Sequence, residues 1–479
     1  MPGLAGTGLA VCCLLGAACA AEPVVTAVPR PVGAEPPAST PEPETLFPLS
    51  GNAGYDVERY DVDLAYDPAT GTLNGVVNLT AVAATALDAI TLDLGVMALD
   101  AATVDGVAAA AELAGGKLRL TPPSPLASGA RFVLGIAYHG VPQHRADPTL
   151  GTPLGWISTA SGSYTRNEPN GASTWLPSND HPSDKAAYRV RVSVPEPLFA
   201  VVNGAAVGEE RTGGRVATTW ETTLPMAASE LQIAVGNLAR VDTTTPGGAP
   251  LSSYVAANGM DVAPGLGLAG RMVDFYSTLF GPYPFPGAGL IAADAPAGTA
   301  VAAQGRPLLS AVDLTAPTGV RQHHLLSTAL AHQWFGSAVT PARWQDVWLS
   351  EAFSTYARWL WMQKAGMQSV DDAAANALTR ADSLRAAFGT PDHPGASTLF
   401  SPTVADGGAV ALHALRKSVG DRTFFAILRT WVAKYAGQSV TTEAFIDHAS
   451  EIAGEDLTGL FLDWLSAEDV PEDYPQPSG

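Results

Sequence analysis

His332 and Glu351 carry the side chains in this sequence best suited to a metal ion, and the residues just before His332 are unusual. A helix that grips zinc presents two imidazoles four residues apart, with a glutamate after the first as general base. It takes its third protein ligand from elsewhere. The five residues ending at His332 read Thr328-Ala329-Leu330-Ala331-His332. The second imidazole of such a pair is present, while a threonine and an alanine stand where the first imidazole and the base belong. His324 shares the helix face but lies eight residues from His332, about 12 Å along the axis. That is too far for both to reach one zinc at about 2.1 Å. Thr328 offers a neutral hydroxyl, a poor ligand, and His393 falls in a loop the sequence does not position. His139, His144, His181, His413 and His448 are expected in ordinary structural roles. His332 either binds metal weakly or becomes a core histidine hydrogen-bonded to Glu351.

The elements that must hold these groups read as helices. Leu325, Leu326, Ala329, Leu330 and Trp334 recur at helical spacing and place His332 on a buried helix. A second helical run from near Asp346 carries Glu351, with Phe353, Tyr356 and Leu360 on its apolar side. Together AHQWFG, VTP, Trp344, Asp346, Trp348, Leu349, Glu351, Phe353 and Tyr356 resemble the zinc aminopeptidase family that includes aminopeptidase N. Its members, which are gluzincins, typically read HELAHQWFG…TP.WW.D.WLNEGFA.Y. The resemblance implies an α+β fold: an antiparallel β saddle or sandwich, then a thermolysin-like, mainly helical domain. It also implies zinc, with Glu351, nineteen residues after His332, as the third ligand.

Four further blocks carry the resemblance. Thr165-Arg166-Asn167-Glu168 and Ser178–Ala186 resemble the family's TQFE and F-DEP..KA.F blocks. This puts Glu168 where the family holds the substrate's free amine, a role suited to a carboxylate that accepts charge-assisted hydrogen bonds. Gly298–Pro307 resembles the edge strand with the family's GxMEN block and puts Ala302 at the amine-binding glutamate. GAVALHALR resembles the Y..GA…LHALR block and puts Ala405 where a tyrosine stabilises the tetrahedral intermediate. The implied site therefore keeps His332 and Glu351 for metal and Glu168 for substrate. Thr328, Ala329, Ala302 and Ala405 fill the other places, and no catalytic side chain remains.

Magnitudes favour an impaired enzyme. Structural zinc is worth roughly 10–16 kcal/mol over four ligands, so losing one imidazole weakens binding by about two to three orders of magnitude. A missing base removes a further ~10²–10⁴ in rate, and a missing oxyanion donor about 10²–10³. The expectation is a pseudopeptidase that binds peptide N-termini, with zinc held weakly or not at all. Two alternatives stay open: an active zinc aminopeptidase with an altered metal site, and a non-catalytic structural or surface-interaction protein.

The bulk composition agrees with a globular exported protein. A chain of 479 residues, 47% hydrophobic and 15% charged, supports two or three domains with real cores. Its net charge of −20 argues against nucleic acid as a partner. The three cysteines, Cys12, Cys13 and Cys19, lie in the first twenty residues, so the body has neither a disulfide framework nor a thiolate metal site. Residues 9–20, LAVCCLLGAACA, resemble the apolar core and cleavage zone of a secretory signal, although no Lys or Arg precedes them. Gly16-Ala17-Ala18-Cys19 fits a lipoprotein box with Gly16 in place of the usual Leu, and Ala18-Cys19-Ala20 fits simple cleavage. Residues 1–20 are thus expected to direct export to the extracellular space or cell surface. The only membrane attachment expected is a lipid at Cys19, since no other stretch is long and apolar enough to span. Oligomeric state leaves no trace in the sequence.

The remaining segments follow in order. Residues 21–48 are rich in Pro, Ala and Glu and read as an extended tether. Residues 49–245 alternate polar and apolar residues between turn signals and read as the β-rich domain. Asn78-Leu79-Thr80 is formally a glycosylation sequon but sits in a strand pattern. Residues 246–479 read as the peptidase-like domain. It has a helix over Arg271–Phe280, a short strand at Leu290–Ala293, and amphipathic helices over Ala405–Val419, Arg422–Tyr435, Thr442–Ile452 and Leu457–Leu465.

Overall fold

The alternation that begins at Tyr55 builds the first half of the molecule. In the computed structural model, which describes residues 44–222, 224–315 and 319–475, an eight-stranded sheet is centred on Tyr55–Asp67 and Thr72–Ala83. Apart from a bulge between Val57 and Arg59, alternate residues of these strands, including Tyr60, Val62, Leu64, Val77 and Leu79, are buried. Most neighbours are antiparallel, as expected. The pairing of Tyr55–Asp67 with Ala187–Pro195 is parallel, and Tyr60 stacks on Tyr188 across it with centroids 4.8 Å apart. A five-stranded sheet that includes Gly162–Arg166 and Ile233–Gly236 and a three-stranded sheet complete this half. Asn78 is an ordinary strand residue paired with Asp61 and Gly135.

A second five-stranded sheet links the two halves. Leu238–Thr244 and Pro250–Ala256 form a hairpin that runs through residue 246. The sheet continues through Ile291–Ala293 and Leu308–Ser310 to the edge strand Ala300–Val301. Helices pack beside it: α1 (Ala263–Phe280), α2 (Val320–Ala331), α3 (Trp348–Lys364), α4 (Val370–Phe388), α5 (Gly408–Tyr435) and α6 (Thr442–Ala453). Gly420, with φ of 77°, breaks α5 between the two helices read from the sequence. The site-bearing helices are locked by aromatic side chains. Trp334 and Trp348 are fully buried, and Tyr276 of α1 donates to the carbonyls of Ser327 and Ala357, joining α2 to α3. Truncating such a tryptophan costs about 3–5 kcal/mol, so the helices hold their side chains in fixed places.

The signal segment and residues 21–43 of the expected tether lie outside the described residues. Residues 44–48 depart from the tether reading. Glu44 is buried and accepts from the backbone N–H groups of Leu46 (3.0 Å) and Trp344 (2.9 Å). Leu46 and Phe47 pack against the helical core. The Pro- and Glu-rich composition averaged over 21–48 hid this short apolar pair.

Candidate functional site

Adjacent antiparallel strands deliver two carboxylates to one end of their sheet. Gly162–Arg166 pairs with Ile233–Gly236, so the residues following the first strand and those preceding the second emerge together. Glu168 follows the first. Glu230 closes the short turn Ala228–Glu230 before the second. Side chains fix the pair of segments. Asn167 Nδ2 donates to Leu231 O at 2.6 Å, and Asn203 Nδ2 to Glu230 O at 3.1 Å.

The helices supply the rest. His332 caps α2, and Glu351 lies in the first turn of α3. His332 Nε2 donates to Glu230 Oε1 at 3.1 Å, and Ser337 Oγ donates to Glu230 Oε2 at 2.8 Å. On the other side of the ring, Nδ1 lies 3.0 Å from Ser350 Oγ, which donates to Phe335 O. The hydrogen bond that the sequence reading gave to Glu351 thus goes to Glu230, which reaches the imidazole from the β half. Glu351 acts on His332 through charge alone.

Three carboxylates therefore surround one imidazole. Burial lowers the proton affinity of His332, but the hydrogen bond and charge of Glu230, with the charges of Glu168 and Glu351, outweigh it and raise its pKa to about 9. Burial pushes the partly buried Glu168 up to about 8, opposed by His332 and reinforced by Glu351 and Glu230. Burial likewise raises Glu351 against the pull of His332 and Arg358. A second cation stands close by. Lys185 Nζ donates to Ser337 O (3.2 Å) and Thr340 Oγ1 (2.7 Å), its pKa lowered to about 8 by burial despite the attraction of Glu230.

His332 is therefore expected to titrate near 9 in an NMR pH series; a midpoint at or below the ordinary value of 6.5 would remove the ion pair. The linkage has a definite sign. The folded state binds this proton more tightly than the unfolded chain does. The resulting stabilisation, about 3 kcal/mol, is complete below pH 6.5 and disappears as pH rises through about 9.

The arrangement leaves little freedom around the ring. Gly336 has φ of 134°, and a Cβ there would fall 2.4 Å from His332 Cε1 and 2.6 Å from Ser350 Oγ. Gly336→Ala is expected to lower stability by at least about 1–3 kcal/mol through backbone strain alone, with the clash added. An unfolding midpoint equal to wild type would contradict this packing. Ser350, His332 and Glu230 have the composition of a nucleophilic triad. However, Ser350 is 1% exposed and donates to Phe335 O, so its hydroxyl does not face a substrate.

The other positions read from the sequence lie on α2 or on segments packed against α2 and α3. Thr328 lies one turn before His332, and its carbonyl accepts from the His332 N–H at 3.1 Å. Ala329 is buried, and its carbonyl accepts from Gln333 Nε2. Gln333 also bonds Ala303 O (3.0 Å) and Gly305 N (2.6 Å), which draws Ala302 and the edge strand to the end of α2. Ala405 sits in the wide turn Thr403–Gly407 that leads into α5. Six of the other eight histidines are engaged elsewhere: His323 with Trp361, His139 with Asp100, His181 with Ser183, His413 with Tyr356, His448 with Thr430 and His393 with Asp392.

These donors do not fit a zinc ion of the expected kind. Of the three protein ligands the resemblance implies, only His332 and Glu351 have a ligating side chain, and His332 Nε2 is held by Glu230. Three ligands and an open position are the usual catalytic minimum.

Two family models match most of this architecture: the Peptidase M1 N-terminal domain over residues 56–229 and the Peptidase family M1 domain over residues 269–464. The chain belongs to the M1 aminopeptidase family of gluzincins. An M1 zinc metallopeptidase from Deinococcus radiodurans is 32% identical, with a TM-score of 0.81 over 91% of this chain and 99% of that one. A mutant of the Deinococcus radiodurans metallopeptidase, bound to a Tyr-Ser-Ala substrate, aligns at 31% identity and the same TM-score over 90% of this chain and 99% of that one. Aminopeptidase N of Lactococcus lactis subsp. lactis is 27% identical over 325 residues, which are 62% of this chain and 38% of that protein. The chain spans 38% and 42% of the lengths of two further curated relatives, from rice and from Sulfurisphaera tokodaii.

Proposed function

We propose that this chain is an exported M1-family homologue with impaired catalysis that binds peptide N-termini rather than cleaving them. The observation that carries the reading is the His332–Glu230 hydrogen bond, which occupies the ring nitrogen beside positions filled by Thr328 and Ala329. At neutral pH a metal would have to displace a proton held with a pKa of about 9. Zinc is accordingly weak or absent at His332 and Glu351. Glu168 remains partly exposed beside the other carboxylates. An arriving ammonium would favour its ionised form and donate charge-assisted hydrogen bonds to it. Export, with a lipid at Cys19 where the lipoprotein box is used, rests on the apolar run 9–20.

A second reading is an active zinc aminopeptidase with an altered site, favoured by the zinc dependence of the family. One experiment separates them. Purified protein is dialysed against micromolar zinc, analysed for metal, and assayed on aminoacyl anilides. The first reading expects little zinc and no chelator-sensitive turnover. Stoichiometric zinc with robust turnover would establish the second. Binding of a free-amine peptide, but not its N-acetylated form, with loss in Glu168→Gln, tests the peptide role.

A further inference from the structure

A second concave site lies around Arg306. A cavity of about 260 Å³ opens between the strands near Ala206 and Trp220, the hairpin residues Arg240 and Tyr254, and the segments holding Phe285 and Arg306. Arg306 is 8% exposed. Its Nε donates to Ser252 O at 3.2 Å, and its Nη1 to Val202 O and Gly204 O at 3.1 and 3.3 Å. Its guanidinium carbon lies 5.4 Å from the Trp220 ring centroid and 5.2 Å from that of Tyr254.

The carbonyls explain the orientation of this side chain but not its charge. Among the described residues no carboxylate pairs with Arg306, and its Nη2 makes no hydrogen bond. The other cation on the cavity wall, Arg240, is turned to Asp242 at 2.9 Å. Trp220, also on the wall, has its indole N–H buried without a partner. Buried guanidinium groups are ordinarily paired, and an unpaired buried donor is costly to leave unmade. In a chain of net charge −20, this half-open pocket presents an unused cationic donor between aromatic walls. A guanidinium lying beside two rings, with Nε and Nη1 held by carbonyls, keeps Nη2 free to donate to a carboxylate oxygen.

We propose that the cavity binds a small organic carboxylate, with Arg306 Nη2 donating to its oxygens and Trp220, Tyr254 and Phe285 covering its apolar body. The site is separate from the His332 cluster and does not depend on whether that cluster holds metal. Its ligand is either a free acid or the terminal carboxylate of a peptide, which share this chemistry.

The test titrates the full chain with benzoate, with acetyl-Ala-Phe and with acetyl-Ala-Phe amide, following tryptophan fluorescence and melting temperature. Saturable binding of benzoate assigns free acids, and binding of acetyl-Ala-Phe assigns peptide termini. Either result supports the site, provided the amide binds at least tenfold more weakly than its acid. Arg306→Lys should weaken acid binding at least tenfold. Because Arg306 also holds three carbonyls, a second variant guards against misfolding. Ala206→Glu, at an exposed position on the cavity wall, places a tethered carboxylate at the pocket and should abolish acid binding while leaving the melting temperature near wild type. Absence of saturation by both acids, equal binding of the amide, or unaltered acid binding in Ala206→Glu would overturn the proposal.

Discussion

Glu230→Gln should destabilise the protein by about 3–5 kcal/mol at pH 6, because it strips the countercharge from a buried imidazolium. The size follows from the pair's isolation. His332 is 3% exposed and Glu230 6%, so water cannot replace the lost partner. Removing one negative charge also relieves repulsion with Glu168, which keeps the expected loss near the lower end. The cost should depend on pH in one direction. His332 holds its extra proton below about 9, so the penalty should be largest at pH 6 and shrink at pH 10. Urea unfolding of both proteins at the two pH values measures this directly. An equal penalty at both would mean that Glu230 contributes shape rather than charge.

Restoring the metal position should require three substitutions, not two. Thr328→His and Ala329→Glu return the missing ligand and base, yet they leave His332 Nε2 bound to Glu230. A ligand must shed its proton before it binds metal. With a pKa of about 9, that requirement weakens binding by about a hundredfold at pH 7. Adding Glu230→Leu releases the nitrogen and should return this factor. The triple variant is therefore expected to bind zinc about 10² times more tightly than the double variant in titration calorimetry. It is also the one expected to gain measurable chelator-sensitive turnover. Equal affinities would place the obstacle elsewhere, with Ala302 and Ala405 the next positions to repair.

The helices around this site were legible because their patterns are local. Spacing alone placed His332 and Glu351 on neighbouring helices, and Gly420 separates two helices whose sequence patterns already stop and restart. Glu230 was not legible. It lies 102 positions from His332, in a turn too short to show a period. Its one trace is an acid set in the otherwise uncharged run from Leu224 to Asn237. Such an acid in an apolar context asks for a partner, but sequence cannot say which. The docking of Glu44 on Trp344 was hidden for the same reason, with 300 positions between the two. Contacts of this kind depend on how strands and helices are brought together, and composition averages them away.

Lys185 reaches from the β half to the loop after α2, where Ser337 also holds Glu230. Both charged groups would be stranded if either half came apart first. The β half and the helical half should accordingly melt in a single calorimetric transition, and neither is expected to survive excision as an autonomous module.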